Sequence, residues 1–168
     1  MAGLKDIGIR KILPKHINAG GLILSYVALD NTSNQSYAVT TTMTNIASTD
    51  QTAKITFKAP FSGNVELQTL FHITDTDASN SARLSLAIST SSSYSAGDER
   101  LFWQAEESDD VMINASWVLT GLTPGKSYTY YIAAKSSLSG DQTIVWSNEY
   151  PPFIIRAMSL PSAIVTDN

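Results

Sequence analysis

The stretch ASWVLTGLTPGKSYTYYIAAK, residues 115–135, decides the fold class. At its centre Gly121-Leu122-Thr123-Pro124-Gly125-Lys126-Ser127-Tyr128 sits between two apolar strands. Pro124 fixes φ at the start of a tight turn, and Gly125 beside it can supply a positive φ. Leu122 is placed to plug a core as the chain crosses over. Tyr128 can return its hydroxyl to the backbone of the corner while burying its ring, the arrangement called a tyrosine corner. The alternation of Tyr128, Tyr130 and Ile132 then continues as a core strand. The motif predicts a β-sandwich, and it leaves Tyr128 structurally occupied, so it points to no ligand.

Working outward, strand and turn alternate along the chain. Leu22–Leu29 is a compact apolar run stopped by Asp30-Asn31, and Tyr37–Thr44 is a Thr-rich, partly alternating strand. Ala53–Ala59 places Ile55 and Phe57 on one face, and Val65–Ile73 does the same with Val65, Leu67, Thr69, Phe71 and Ile73. The intervening Pro60–Gly63 turn predicts that these two strands form a hairpin. Further strands are expected at Ala82–Thr90, Arg100–Ala105, Val111–Leu119, Ser127–Lys135, Thr143–Trp146 and Phe153–Met158. No amphipathic helix, repeat or linker interrupts them. The pattern predicts an all-β chain, an antiparallel β-sandwich or jelly roll of eight to ten strands over residues 20–168, preceded by an extended arm at residues 1–19.

Composition agrees. Charged residues make up 15% of the chain, well below the usual quarter, and Ser, Thr and Asn take their place. These residues suit strand faces and turns and compete with the backbone inside helices. A net charge of −4 argues against a nucleic-acid surface, which needs a clustered basic face. The one basic cluster, Lys5, Arg10, Lys11, Lys15 and His16, lies in the arm. The arm also carries Leu4, Ile7, Ile9, Ile12 and Leu13 in neither helical nor strand spacing, more apolar surface than a solvated tail needs. It is expected to dock on something. Residues 20–29 imitate a signal-peptide core poorly, because the preceding stretch is long and holds Asp6 and Pro14, and they are too short to span a bilayer. The absence of cysteine excludes disulfides, thiolate metal sites and cysteine nucleophiles.

Candidate chemistry is thin. His72 lies between Phe71 and Ile73 on the face opposite the core series, as an outer-face or interface side chain. No G-x-S-x-G motif occurs, and no hydroxyl has a base and orienting group in evident reach. No catalytic residue and no cofactor are therefore expected. Asp75 and Asp77 are spaced like the opening ligands of a calcium loop, but the pattern is not completed. Trp103 and Tyr94 are the candidate glycan contacts, weighed against a place for large rings in the core or an interface.

The crossover segment from Ala115 onward looks like that of a fibronectin type III domain, but a core Trp early in the chain is missing and the chain is too long. A wider resemblance covers roughly residues 37–158. The order ITFKAPFSGNVELQ, RLSLAIST, SWVLTGLTPGKSYTYYIAAK and a final Ile/Arg strand is similar to C1q/TNF-like jelly rolls of bacteriophage virion proteins. The resemblance implies a tail, head-fibre or decoration component, made in the host cytoplasm and located in the virion. Its partners would be capsid, portal or tail proteins and copies of itself, commonly as a trimer, with the arm as the attachment element. A glycan-binding adhesion module, with a host-surface glycan as partner, is the alternative. A secreted calcium-dependent lectin or enzyme comes third. Neither nucleic-acid binding nor membrane insertion is expected.

Overall fold

The computed structural model describes residues 23–75, 82–96, 99–107, 110–140 and 142–161, with residues 75 and 99–107 described as backbone only. Among them there is no α-helix, and therefore none long and apolar enough to cross a membrane. The strands are β1 (Ile23–Leu29), β2 (Gln35–Ala38), β3 (Thr44–Asn45), β4 (Lys54–Lys58), β5 (Val65–Asp75), β6 (Ala82–Ser89), β7 (Glu99–Glu107), β8 (Val111–Leu119), β9 (Ser127–Ser136), β10 (Gln142–Trp146) and β11 (Phe153–Ser159).

They form a six-stranded sheet, β1-β11-β5-β10-β2 with β8 also on β5, and a five-stranded sheet, β3-β9-β6-β7 with β4 also on β9. All pairings are antiparallel. Three positions are occupied by broken strands. β11 and β10 lie end to end along one edge of β5, β1 and β2 line them in turn, and β4 and β3 share one edge of β9. Merging these three pairs reduces eleven segments to eight positions, in the order 1-8-3-6 in one sheet and 2-7-4-5 in the other. The chain changes sheet at every connection between positions except the β6–β7 hairpin. This winding is a jelly roll.

Period-two alternation places the core. Val65, Leu67, Thr69, Phe71 and Ile73 from β5 are fully buried, facing Ile55 and Phe57, Leu84, Leu86 and Ile88, and Tyr130 and Ile132 of the other sheet. Thr69 is tolerated because its hydroxyl donates to the Ile154 carbonyl at 3.1 Å. Phe71 stacks on Phe153 at 4.9 Å, and Trp146 meets Phe153 edge-on at 5.8 Å. Trp146 donates its Nε1–H to Gln51 Oε1 at 2.6 Å, whereas the Nε1–H of the equally buried Trp117 has no acceptor among the described residues.

Two expectations are corrected. Ala53–Ala59 and Val65–Ile73 do not form a hairpin: β4 pairs with β9 in one sheet, and β5 pairs with β8, β10 and β11 in the other. Alternation assigns each strand a buried face but not a partner, and the Pro60–Gly63 turn carries the chain across the sandwich instead of back along itself. The span Tyr37–Thr44 is not one strand either. It divides into β2 in the first sheet and β3 in the second, because residues 39–43 form the corner between them.

The 115–135 segment behaves as its residues demand. β8 and β9 lie in opposite sheets, and Leu122 packs against the core between them. Tyr128 Oη accepts a hydrogen bond from Thr123 N at 3.0 Å, which also holds the phenol below its usual ionisation range. This crossover is clasped to the Pro60–Gly63 turn by backbone bonds. Leu122 N donates to Gly63 O at 3.0 Å, Gly125 N to Ala59 O at 2.9 Å, and Ala59 N to Lys126 O at 2.9 Å. The two motifs that stand out in the sequence thus brace each other at one end of the sandwich.

Candidate functional site

A sheet in a sandwich shows alternate side chains to the core and to the outside. On the outer face of the six-stranded sheet the register lines residues into rows. Ala28, Ile154, Leu70 and Asn114 form one, Tyr26, Arg156, Gln68 and Ser116 the next, and Ile23, Met158, Glu66 and Val118 a third. Ser36, Val145, His72 and Met112 continue it beyond the break between β10 and β11. An outward face normally carries polar residues, yet here Tyr26 and Val118 are each 54% exposed, Ile23 43% and Met112 42%. Ile154, Leu70 and Met158 lie among them half-buried.

The polar groups on this face are organised. Arg156 Nε donates to Gln68 Oε1, and Gln68 Nε2 donates to Asn114 Oδ1 at 3.0 Å, so one chain of bonds spans three strands. Beside it is a shallow depression of about 120 Å³, lined by Tyr26, Gln68, Thr69, Leu70, Asn114, Ile154 and Arg156. His72 stacks on Tyr150 at 5.4 Å, and its Nδ1 is buried with no hydrogen-bond partner among the described residues. A wider groove of about 370 Å³ runs beside the crossover, between the end of β8 and Tyr128.

The outer face of the other sheet is different in kind. Lys54, Thr56 and Lys58 stand exposed on β4, with the Lys54 ammonium 6.0 Å from the Tyr131 ring and Thr56 hydrogen-bonded to Thr129 at 2.8 Å. Farther along, Ala133 and Ala87 are fully buried. Asn45, in the same row, donates through Nδ2 to the carbonyls of Ser91 at 3.0 Å and Ser92 at 2.9 Å. The loop after β6 therefore lies across this face, and small side chains make room for it. The six-stranded sheet is left as the open face, where exposed apolar side chains stand among the polar groups of the Arg156–Gln68–Asn114 chain.

The residues singled out from sequence divide accordingly. Leu122, Pro124, Gly125 and Tyr128 come together at the crossover. Tyr94 is half-exposed in the loop after β6, and Trp103 lies on β7 opposite Leu86 in register. Asp75 ends β5, whereas Asp77 and the arm residues Leu4, Ile7, Ile9, Arg10, Lys11, Ile12 and Leu13 lie outside the described residues. Among the described residues no group of three acidic or histidine side chains is placed to hold a metal ion. Sequence reasoning missed Tyr26, Gln68, Asn114 and Arg156 as a set. The available signal was FIIRAMS in β11, whose Ile154 and Met158 fall on the face where polar residues belong.

No protein-family model and no curated protein matches the chain. Solved structures similar to it include dimeric latent PorU from Porphyromonas gingivalis, at 12% identity and TM-score 0.42, covering 82% of this chain and 13% of that one. The chain thus spans a small part of PorU. The Eiger TNF of S. frugiperda is 10% identical with TM-score 0.43, covering 88% of this chain and 98% of the other. Broad bean stain virus contributes a chain at 10% identity and TM-score 0.32, with coverages of 86% and 93%.

Proposed function

We propose that the chain is a non-catalytic structural protein of a bacteriophage virion, a tail, fibre-associated or capsid-decoration component. It works by burying apolar surface against other copies and other virion proteins. The observation that carries this is the open outer face of the six-stranded sheet, where Ile23, Tyr26, Met112 and Val118 are each more than two-fifths exposed. Exposed apolar side chains line both edges of this face, Ile23 and Tyr26 on β1 and Met112 and Val118 on β8, and they are the surface such burial would cover. The virion setting is supported by the order of the β4–β5 turn and the β8–β9 crossover, the two anchors of the C1q/TNF-like resemblance, which both serve as sheet-to-sheet crossings of a jelly roll. The arm supplies the attachment element.

A glycan-binding module is the second reading. Tyr26 offers an exposed ring beside the planar hydrogen-bonding groups of Gln68, Asn114 and Arg156, a combination that suits a sugar. One experiment separates the two. Deleting residues 1–19 should leave a folded sandwich that no longer enters purified particles. Normal incorporation of the truncated chain would contradict the anchoring role. Retained binding to cell-surface glycans with normal incorporation would favour the second reading.

A further inference from the structure

The jelly roll has four sheet edges, and three are guarded in the ways that prevent strand-to-strand association. The β1/β2 edge carries a register shift at Ile23–Ser25 and a break at residues 30–34. The β3/β4 edge is broken between Asn45 and Lys54 and carries Lys54 and Lys58. The β7 edge has a shifted register against β6 and bears Glu99, Arg100, Glu106 and Glu107. β8 has none of these devices. Its nine residues pair one for one with β5, with no shift, no charge, no proline and no glycine. Among the described residues its other edge pairs with nothing.

We infer that β8 is a self-pairing edge, joining two copies of this chain antiparallel about a two-fold axis at Ala115 and fusing their six-stranded sheets into one. The occupant follows from the strand, which has the same chemistry in both directions. In VMINASWVL, Ala115 is flanked by Asn114 and Ser116, then by Ile113 and Trp117, Met112 and Val118, and Val111 and Leu119. Two-fold pairing at Ala115 places polar Asn114 opposite polar Ser116 of the second copy and apolar Met112 opposite apolar Val118, each twice. The outer members of these pairs, Met112 and Val118, are 42% and 54% exposed and would cover each other. A slip of one residue would put inner side chains on the outer face. A slip of two would set Asn114 against itself and Met112 against Ser116. Only the register at Ala115 matches throughout. The contact is isologous and closes on itself, so it builds a dimer rather than a fibre. It deepens the assembly function proposed above and rests on it.

The chain has no cysteine, so introduced thiols report cleanly. Residues directly opposed across an antiparallel pair have Cα atoms about 4.5–5.5 Å apart, within disulfide reach. Asn114→Cys/Ser116→Cys in the full chain should form a covalent dimer on mild oxidation, read on a non-reducing gel. Met112→Cys/Ser116→Cys, equally exposed but out of register, should stay monomeric. Adding Val118→Lys to the first variant should abolish the dimer band. All four positions are exposed, so the variants keep the fold, which circular dichroism verifies. A folded first variant that fails to couple, or equal coupling in both registers, would overturn the inference. If the unmodified chain still self-associates in that case, the edge alone is refuted and assembly through another face stands.

Discussion

Replacing Trp117 with alanine should destabilise the protein by about 3–5 kcal/mol and lower its melting temperature by roughly 6–20 °C. Trp117 is fully buried on β8, and the frame around it is two hydrogen-bonded sheets that can close over the lost ring only in part. The size of the cavity therefore sets the cost. Phenylalanine at the same position gives a sharper test. It keeps most of the buried ring and removes an indole N–H that has no acceptor among the described residues, so part of the lost packing is offset by relief of an unsatisfied donor. At Trp146 the same change deletes the bond to Gln51 Oε1 and leaves that oxygen without its donor. Trp117→Phe should therefore be milder than Trp146→Phe in urea denaturation. The reverse order, or an alanine variant costing under about 1 kcal/mol, would show that Trp117 is not packed as described.

Gly63→Ala should be the other severe substitution, costing about 2–3 kcal/mol. Gly63 has φ +69°, a conformation that L side chains rarely adopt, and a Cβ there would lie 2.7 Å from the carbonyl oxygen of Leu122. The atom the Cβ meets is backbone, so the collision cannot be relieved by turning a side chain. It also lies in the clasp between the two crossovers, beside the Leu122 N–H bond to Gly63 O. Gly125 provides the comparison. Its φ is +76°, but no described residue lies within 4 Å of the added Cβ, so Gly125→Ala should cost only about 1 kcal/mol. Thermal melts of the two variants separate conformational strain from collision. Equal destabilisation would mean that the two turns do not touch.

Gly63 also marks how far the sequence could be read. The inward series of β5, β6 and β9 are visible as alternation, because burial of one face imposes period two on the residues themselves. Tyr128 and Leu122 were legible for a similar reason: their roles are local, fixed by a turn of a few residues. Partnership is not local. Ile55 and Phe57 face the core whether β4 pairs with β5 or with β9, so a Pro-Gly turn reads equally as a hairpin and as a crossing. The Tyr37–Thr44 span failed in the same way, since a corner between sheets keeps the composition of a strand. The outer face was harder still. Tyr26, Gln68, Asn114 and Arg156 come from four strands spread over most of the chain, and only the pairing of β1, β11, β5 and β8 sets them side by side.

Sedimentation equilibrium of the intact chain tests most directly whether this body is built to be joined to others. An assembly module with an unguarded β8 edge and exposed apolar side chains on its open sheet face should give a mass that rises with concentration to a multiple of 18.2 kDa. A single species of 18.2 kDa at every concentration would contradict it.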